Sequence, residues 1–213
     1  MKLRIALLVA VTLLGGCRRP GDITAESGGG VYAVRSVCPL VGVPAGTGDI
    51  TLFNPAGSTD SRAIDVTATI TDVRASCQNS GTDVVSTATF TVLAQRRDAG
   101  PARQVLLPYF DVALQGGSRV VAKRIGQVAL NFPAGSQRTW TRAQATVRVN
   151  RGVATLPDNV RRILTRPRKP GEAEAAIDPL ADPAVKAAVA NATFEHLVGF
   201  QMSQDQLKFN VTR

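Results

Sequence analysis

The segment Ala63-Ile64-Asp65-Val66-Thr67-Ala68-Thr69-Ile70-Thr71-Asp72-Val73-Arg74-Ala75-Ser76-Cys77 alternates apolar and polar residues through most of its length. Ile64, Val66, Ala68 and Ile70 take one side of an extended chain, and Asp65, Thr67, Thr69 and Thr71 take the other. That is the period of a half-buried strand and not of a helix. At Thr71-Asp72 the apolar phase slips by one, to Val73, Ala75 and Cys77. A slip of one residue turns every later side chain to the opposite face, so a bulge or bend is predicted there. The turn signal Gln78-Asn79-Ser80-Gly81 follows. Residues 84–94 then alternate again, with Ala88, Phe90, Val92 and Ala94 inward and Thr87, Thr89 and Thr91 outward. The two runs read as an antiparallel hairpin.

The same texture extends both ways. Residues 48–53 form a short strand candidate closed by Asn54-Pro55-Ala56-Gly57. Residues 105–114 are another, in which Pro108 suggests an edge or a bulge. Gly116-Gly117 turns the chain into residues 120–132, a strand with a break expected at Gly126. Pro133-Ala134-Gly135-Ser136 turns it again into residues 139–149, with Ala143, Ala145, Val147 and Val149 on one face. About seven strands in roughly 120 residues have the spacing of an antiparallel sandwich. The fold class read from this is mainly β, an antiparallel β-sandwich with a small α-containing C-terminal segment. It resembles the immunoglobulin and fibronectin type III domains in pattern only, because Trp140 follows both Cys38 and Cys77.

Composition agrees. With 44% hydrophobic residues in 213 the chain can bury a substantial core, so disorder is not the default. Aromatics are only 5%, which favours small-residue β-structure over a large aromatic cavity.

The N-terminus has another character. Lys2 and Arg4 precede a nearly unbroken apolar run over residues 5–14. As a helix this run spans about 15 Å, half of a hydrocarbon core of about 30 Å, which fits a signal segment and not a membrane span. It ends in Leu14-Gly15-Gly16-Cys17, which resembles the lipobox of bacterial lipoproteins. The resemblance covers about the first twenty residues. It implies that residues 1–16 are a cleaved signal peptide and that Cys17 carries acyl chains, a palmitate-type membrane anchor. Arg18, in place of Asp, implies sorting to the outer membrane, facing the periplasm. Residues 17–32 contain Pro20, Gly21 and Gly28-Gly29-Gly30 and read as a lipidated flexible tether. Two or three acyl chains hold a protein stably where one is marginal.

Three cysteines become an even pair once Cys17 is set aside. Export places Cys38 and Cys77 in an oxidising compartment, where a disulfide is the default and two buried free thiols the alternative. Such a bridge closes a loop of about 40 residues and contributes about 4 kcal/mol on the chain-entropy account. Two cysteines and the one histidine, His196, do not supply the soft ligands of a structural metal site.

Sequence texture changes after the β-rich part, which spans residues 33–151. Residues 152–213 read as a C-terminal extension. Residues 158–164 suggest a helical turn or two, and Arg-Pro-Arg-Lys-Pro-Gly at 166–171 is a loop. Asp182 caps a helix over 182–190 with Pro183 at its first position. Residues 194–202 form a final strand candidate. Ser203-Gln204-Asp205-Gln206 fits a capping box opening a short closing helix.

No nucleophile elbow, P-loop or dinucleotide fingerprint occurs, and no cofactor is expected. Nucleophilic catalysis would rest on His196, with Ser203 or Cys38 as its partner, and a structural role is the expectation for this histidine. Glu172 and Glu174 look like a solvated charge cluster. The formal charge is +9; the leader carries two of those positives and no acid, and 9 less 2 leaves +7. Export sets nucleic acid aside and leaves lipid head groups, lipopolysaccharide and cell-wall peptides as available polyanions. Two basic features stand out. Trp140, Arg142, Gln144, Thr146 and Arg148 share one strand face, where an indole beside guanidiniums suits a sugar bearing an anionic group. Arg161, Arg162, Arg166, Arg168 and Lys169 form a second cluster, suited to anionic lipid or an acidic partner. The expectation is a non-enzymatic envelope lipoprotein that binds or scaffolds, with recognition of an anionic envelope component as the alternative.

Overall fold

The computed structural model describes residues 36–166, 171 and 177–212. Two compact units divide the chain: Met1–Val34 with Thr165–Asp178, and Arg35–Leu164 with Pro179–Arg213. Every strand described belongs to the second unit, and the fold below is that unit's. The expected leader, Cys17 and its tether lie outside the described residues, as do Arg168, Lys169, Glu172 and Glu174.

The strands are β1 Leu40–Gly42, β2 Asp49–Phe53, β3 Ile64–Gln78, β4 Asp83–Arg96, β5 Arg103–Gln115, β6 Arg119–Phe132, β7 Arg138–Asn150 and β8 Phe194–Phe200. Helices are α1 Arg151–Ala154, α2 Asp158–Thr165, α3 Pro183–Asn191 and α4 Gln204–Thr212. The protein is mainly β. One sheet runs β1-β8-β5-β6 and the other β2-β3-β4-β7. Among the described residues the one parallel pairing is β1 with β8; the rest are antiparallel.

The β3–β4 hairpin follows the alternation. Val66, Ala68 and Ile70 are buried opposite Arg96, Ala94 and Val92. The slip at Thr71-Asp72 is a real bulge: pairing resumes at Arg74 with Thr89, and Asp72 takes a φ of 50°. Arg74 Nε donates to Asp72 Oδ1 at 2.8 Å and stabilises this left-handed turn. Beyond it Val73 and Cys77 face the interior, although Ala75 stays exposed.

Both sheets contribute to one large core. Ile50, Val66, Phe90 and Val92 come from one sheet, and Leu107, Leu130, Phe132 and Phe200 from the other. A smaller cluster of Val84, Val149, Ala154 and Phe194 packs with the cystine Cys38–Cys77, which is formed with Cα atoms 6.0 Å apart. Burial of such apolar surface supplies about 25 cal/mol per Å², the main favourable term in folding.

Arg96 ends β4 inside the protein. Its guanidinium donates to the carbonyls of Ser136, Pro101, Gly100 and Pro133 at 2.7 to 3.0 Å and lies over the Phe132 ring. One side chain thereby ties the β4–β5 loop to the β6–β7 loop.

Three expectations are corrected. Pro108 lies in β5, an interior strand between β8 and β6. Its missing N–H falls at the end of the β8 ladder, just past the Tyr109–Phe200 pair, where Gln201 N still donates to the Pro108 carbonyl at 2.9 Å. Gly126 does not break β6. A Cβ there would stand 2.6 Å from Tyr109 Cζ, so the glycine makes room for that ring. Tyr109 in turn meets Phe90 edge-on and donates its hydroxyl to Gln144 O. Finally, residues 152–213 are not an appendage to a finished domain. β8 sits between β1 and β5, and its alternate residues Phe194, His196, Val198 and Phe200 are buried.

The helix ends follow local chemistry. Asp182 accepts from Ala184 N with Pro183 in the first turn of α3. Ser203 and Gln206 exchange the two bonds of a capping box at α4. Among the described residues no helix is long and apolar enough to cross a membrane.

Candidate functional site

Period two places Ser86 between Val84 and Ala88 on β4, and His196 between Phe194 and Val198 on β8. Each is a polar step in an apolar phase, at the level that separates the large core from the cystine cluster. The two meet across the sheets: Ser86 Oγ lies 3.0 Å from His196 Nδ1. On the far side of the ring, Nε2 lies 3.0 Å from Asp111 Oδ1 of β5. Nε2 and Oδ1 lack an aligned hydrogen-bond partner, so this contact is held by charge and dipole more than by direction. Asp111 Oδ2 accepts from Arg124 of β6 at 3.0 Å. Burial pushes the Asp111 carboxyl up, but the His196 ring and the Arg124 guanidinium outweigh it and hold the group below the ordinary carboxylate range.

Serine, histidine and aspartate in a row are the parts of a hydrolase triad. None of the three is more than 5% exposed. A general base must reach the proton it takes in a substrate pose, and a substrate reaches Ser86 only if the two sheets part. The contacts join β4, β8, β5 and β6. The partners considered from sequence, Ser203 and Cys38, are replaced by Ser86 and Asp111. Ser203 caps α4, and Cys38 is in the cystine.

The outward face of β2-β3-β4-β7 differs. On β7, Trp140, Arg142, Gln144 and Arg148 are exposed, while Ala145, Val147 and Val149 are buried and Ala143 is partly covered. The strand is regular from Arg138 to Asn150, so these even positions share one face, as period two requires. Trp140 is 62% exposed. Register sets Trp140 beside Leu93 and Thr69, Arg142 beside Thr91 and Thr71, and Gln144 beside Thr89. Thr146 and Thr87 bring their hydroxyls within 3.2 Å. Arg138, missed from sequence because the strand was begun one residue too late, extends the row beyond Trp140.

Two open depressions cross this face. One is lined by Thr69, Thr71, Leu93, Arg138 and Trp140, the other by Asp72, Arg74, Thr89, Arg142 and Gln144. Asp72 is already paired with Arg74 at 2.8 Å. Among the described residues Arg138, Arg142 and Arg148 have no carboxylate partner. Helix α4 covers the β2 side of the same face. Phe209 meets Phe53 edge-on, and Asn210 Nδ2 donates to the carbonyls of Gly46 and Asp49.

Of the second basic cluster, Arg161, Arg162 and Arg166 are among the described residues. Arg161 and Arg162 are exposed on α2, and Arg161 is paired with Asp158 at 2.7 Å. Arg166 is exposed. No group of three or more His, Cys, Asp or Glu among the described residues is placed to hold a metal ion. No family model, curated protein or solved structure matches this chain.

Proposed function

We propose that this protein is a non-enzymatic lipoprotein of the cell envelope, anchored through Cys17 to the outer membrane and facing the periplasm. It works as a binding module whose recognition surface is the Trp140 face. We read the two sheets as a β-sandwich of the immunoglobulin or fibronectin type III pattern, a scaffold that offers broad open faces. The ligand is an anionic component of the envelope. One observation carries the reading: Arg138 and Arg142, which have no carboxylate partner among the described residues, flank an exposed indole on one regular strand, with Arg148 in the same condition six residues further along. Unpaired arginine forks keep their capacity for carboxylate or phosphate, and they tolerate an exposed position because they are solvated until a ligand arrives.

Replacing Arg142 and Arg148 by Glu tests it. Binding to isolated envelope fractions should fall steeply, and wild-type binding should weaken as salt is raised. Stability should change by less than about 0.5 kcal/mol, because both positions are exposed. Unchanged binding by the double variant sinks the proposal. Anchoring has its own test: Cys17→Ala should move the protein out of the membrane fraction, and retention of that variant counts against lipidation.

A further inference from the structure

We infer that the ligand of the Trp140 face is an extended acidic polysaccharide, lying along β7 with a sugar ring stacked on the indole; this rests on the recognition reading above. The surface is an open sheet face with hydroxyls at regular intervals, not a closed pocket. Thr69, Thr71, Thr89 and Thr91 stand beside Trp140, Arg142 and Gln144 across the register. Hydroxyls and a primary amide both donate and accept, which suits a polyol. An indole offers a flat apolar face to the C–H side of a pyranose and adds a polar N–H at its rim.

The cations fix the acidic character and the length. Same-face neighbours on a strand stand about 7 Å apart, so Arg138 and Arg142 bracket Trp140 at that spacing. Arg148 lies a further six residues along, about 20 Å from Arg142. One phosphate or one carboxylate cannot meet all three. A chain with repeated acidic groups can, and it gains by engaging several weak contacts at once. A lipid surface fits less well: among the described residues, Trp140, Leu93 and the half-buried Val85 are the large apolar side chains on the part of this face that α4 leaves open, and they are set among threonines.

Trp140 is the chain's one tryptophan, so its fluorescence reports this face directly. The whole protein is titrated at low salt with polygalacturonate, with its methyl ester, with monomeric galacturonate, and with phosphatidylglycerol vesicles. The acidic polymer should perturb the emission saturably. The neutral ester and the monomer, at equal sugar concentration, should bind at least a hundredfold more weakly. In gels containing the polymer, Trp140→Ala and the pair Arg142→Gln, Arg148→Gln should each reduce retardation at least tenfold; the glutamines keep the face neutral and test charge without reversing it. If vesicles perturb Trp140 and the polymer does not, the polysaccharide inference is overturned while anion recognition at this face stands. If neither perturbs it, both fail. Polymer binding that survives the substitutions places the site elsewhere and overturns the inference.

Discussion

Ser86 Oγ and His196 Nδ1 lie 3.0 Å apart, joining β4 of one sheet to β8 of the other through the protein's interior. The ring's second nitrogen lies as close to Asp111. Removing the ring leaves a buried carboxylate and a buried hydroxyl without their partner. His196→Leu should therefore cost about 3 kcal/mol and Ser86→Ala about 1 kcal/mol. Urea unfolding of both single variants and the double variant measures the coupling. Additive losses would show that the Ser86–His196 contact contributes nothing of its own.

Acid should find the same place. The Asp111 carboxyl is held below its ordinary value, about 3.9 in an unfolded chain. A lowered folded value means that ionised Asp111 stabilises the fold fully above that unfolded value. The contribution is lost as pH falls through the folded value. Stability followed from about pH 5 down to about pH 2 should drop more steeply in the wild type than in Asp111→Asn. Parallel curves would mean that acid acts through other carboxylates. Asp65 is one such group, lowered by its bidentate pairing with Arg103 across the two sheets.

Reduction should expose the small cluster first. Cys38 and Cys77, 39 positions apart, pack against Val84, Val149 and Phe194. Opening the bridge frees the unfolded chain and should lower stability by about 2–5 kcal/mol. Comparing unfolding with and without reductant checks this, with Cys38→Ala, Cys77→Ala as the permanently reduced form.

Arg96 makes four hydrogen bonds to loop carbonyls from a nearly sealed position. Lysine has neither the fork nor the flat face that lies over Phe132. Arg96→Lys should cost about 2–4 kcal/mol. Hydrogen exchange should quicken in both loops at residues 97–102 and 133–137 together. Faster exchange in one loop alone would argue against a shared clamp.

Much of this fold can be read from residues. The phase slip at Thr71-Asp72 marks the bulge, Asp182-Pro183 marks a helix start, and Ser203 with Gln206 marks another. These signals are local, and local chemistry produces them. The exposed Trp140–Arg142–Arg148 face of β7 was also legible, because period two needs no partner strand to predict a face. The place of β8 was not, since nothing local tells a strand which neighbours it joins. The Ser86–His196–Asp111 contact was missed for the same reason: Ser86 and His196 stand 110 positions apart. A signal did exist. Ser86, Asp111 and His196 each interrupt an otherwise apolar phase, and three such interruptions in one protein ask to be matched to one another.

The place of β8 has a consequence for how the molecule is completed. A chain that crosses a membrane or leaves a ribosome presents its N-terminus first. Here β1 and β5 cannot be bridged until residues 194–200 arrive, so the middle of one sheet is the last of the described strands to be delivered. Until then both strands hold open edges, which other chains can copy. A chain cut just before Phe194 would thus lose the keystone of that sheet, and its failure should show as aggregation.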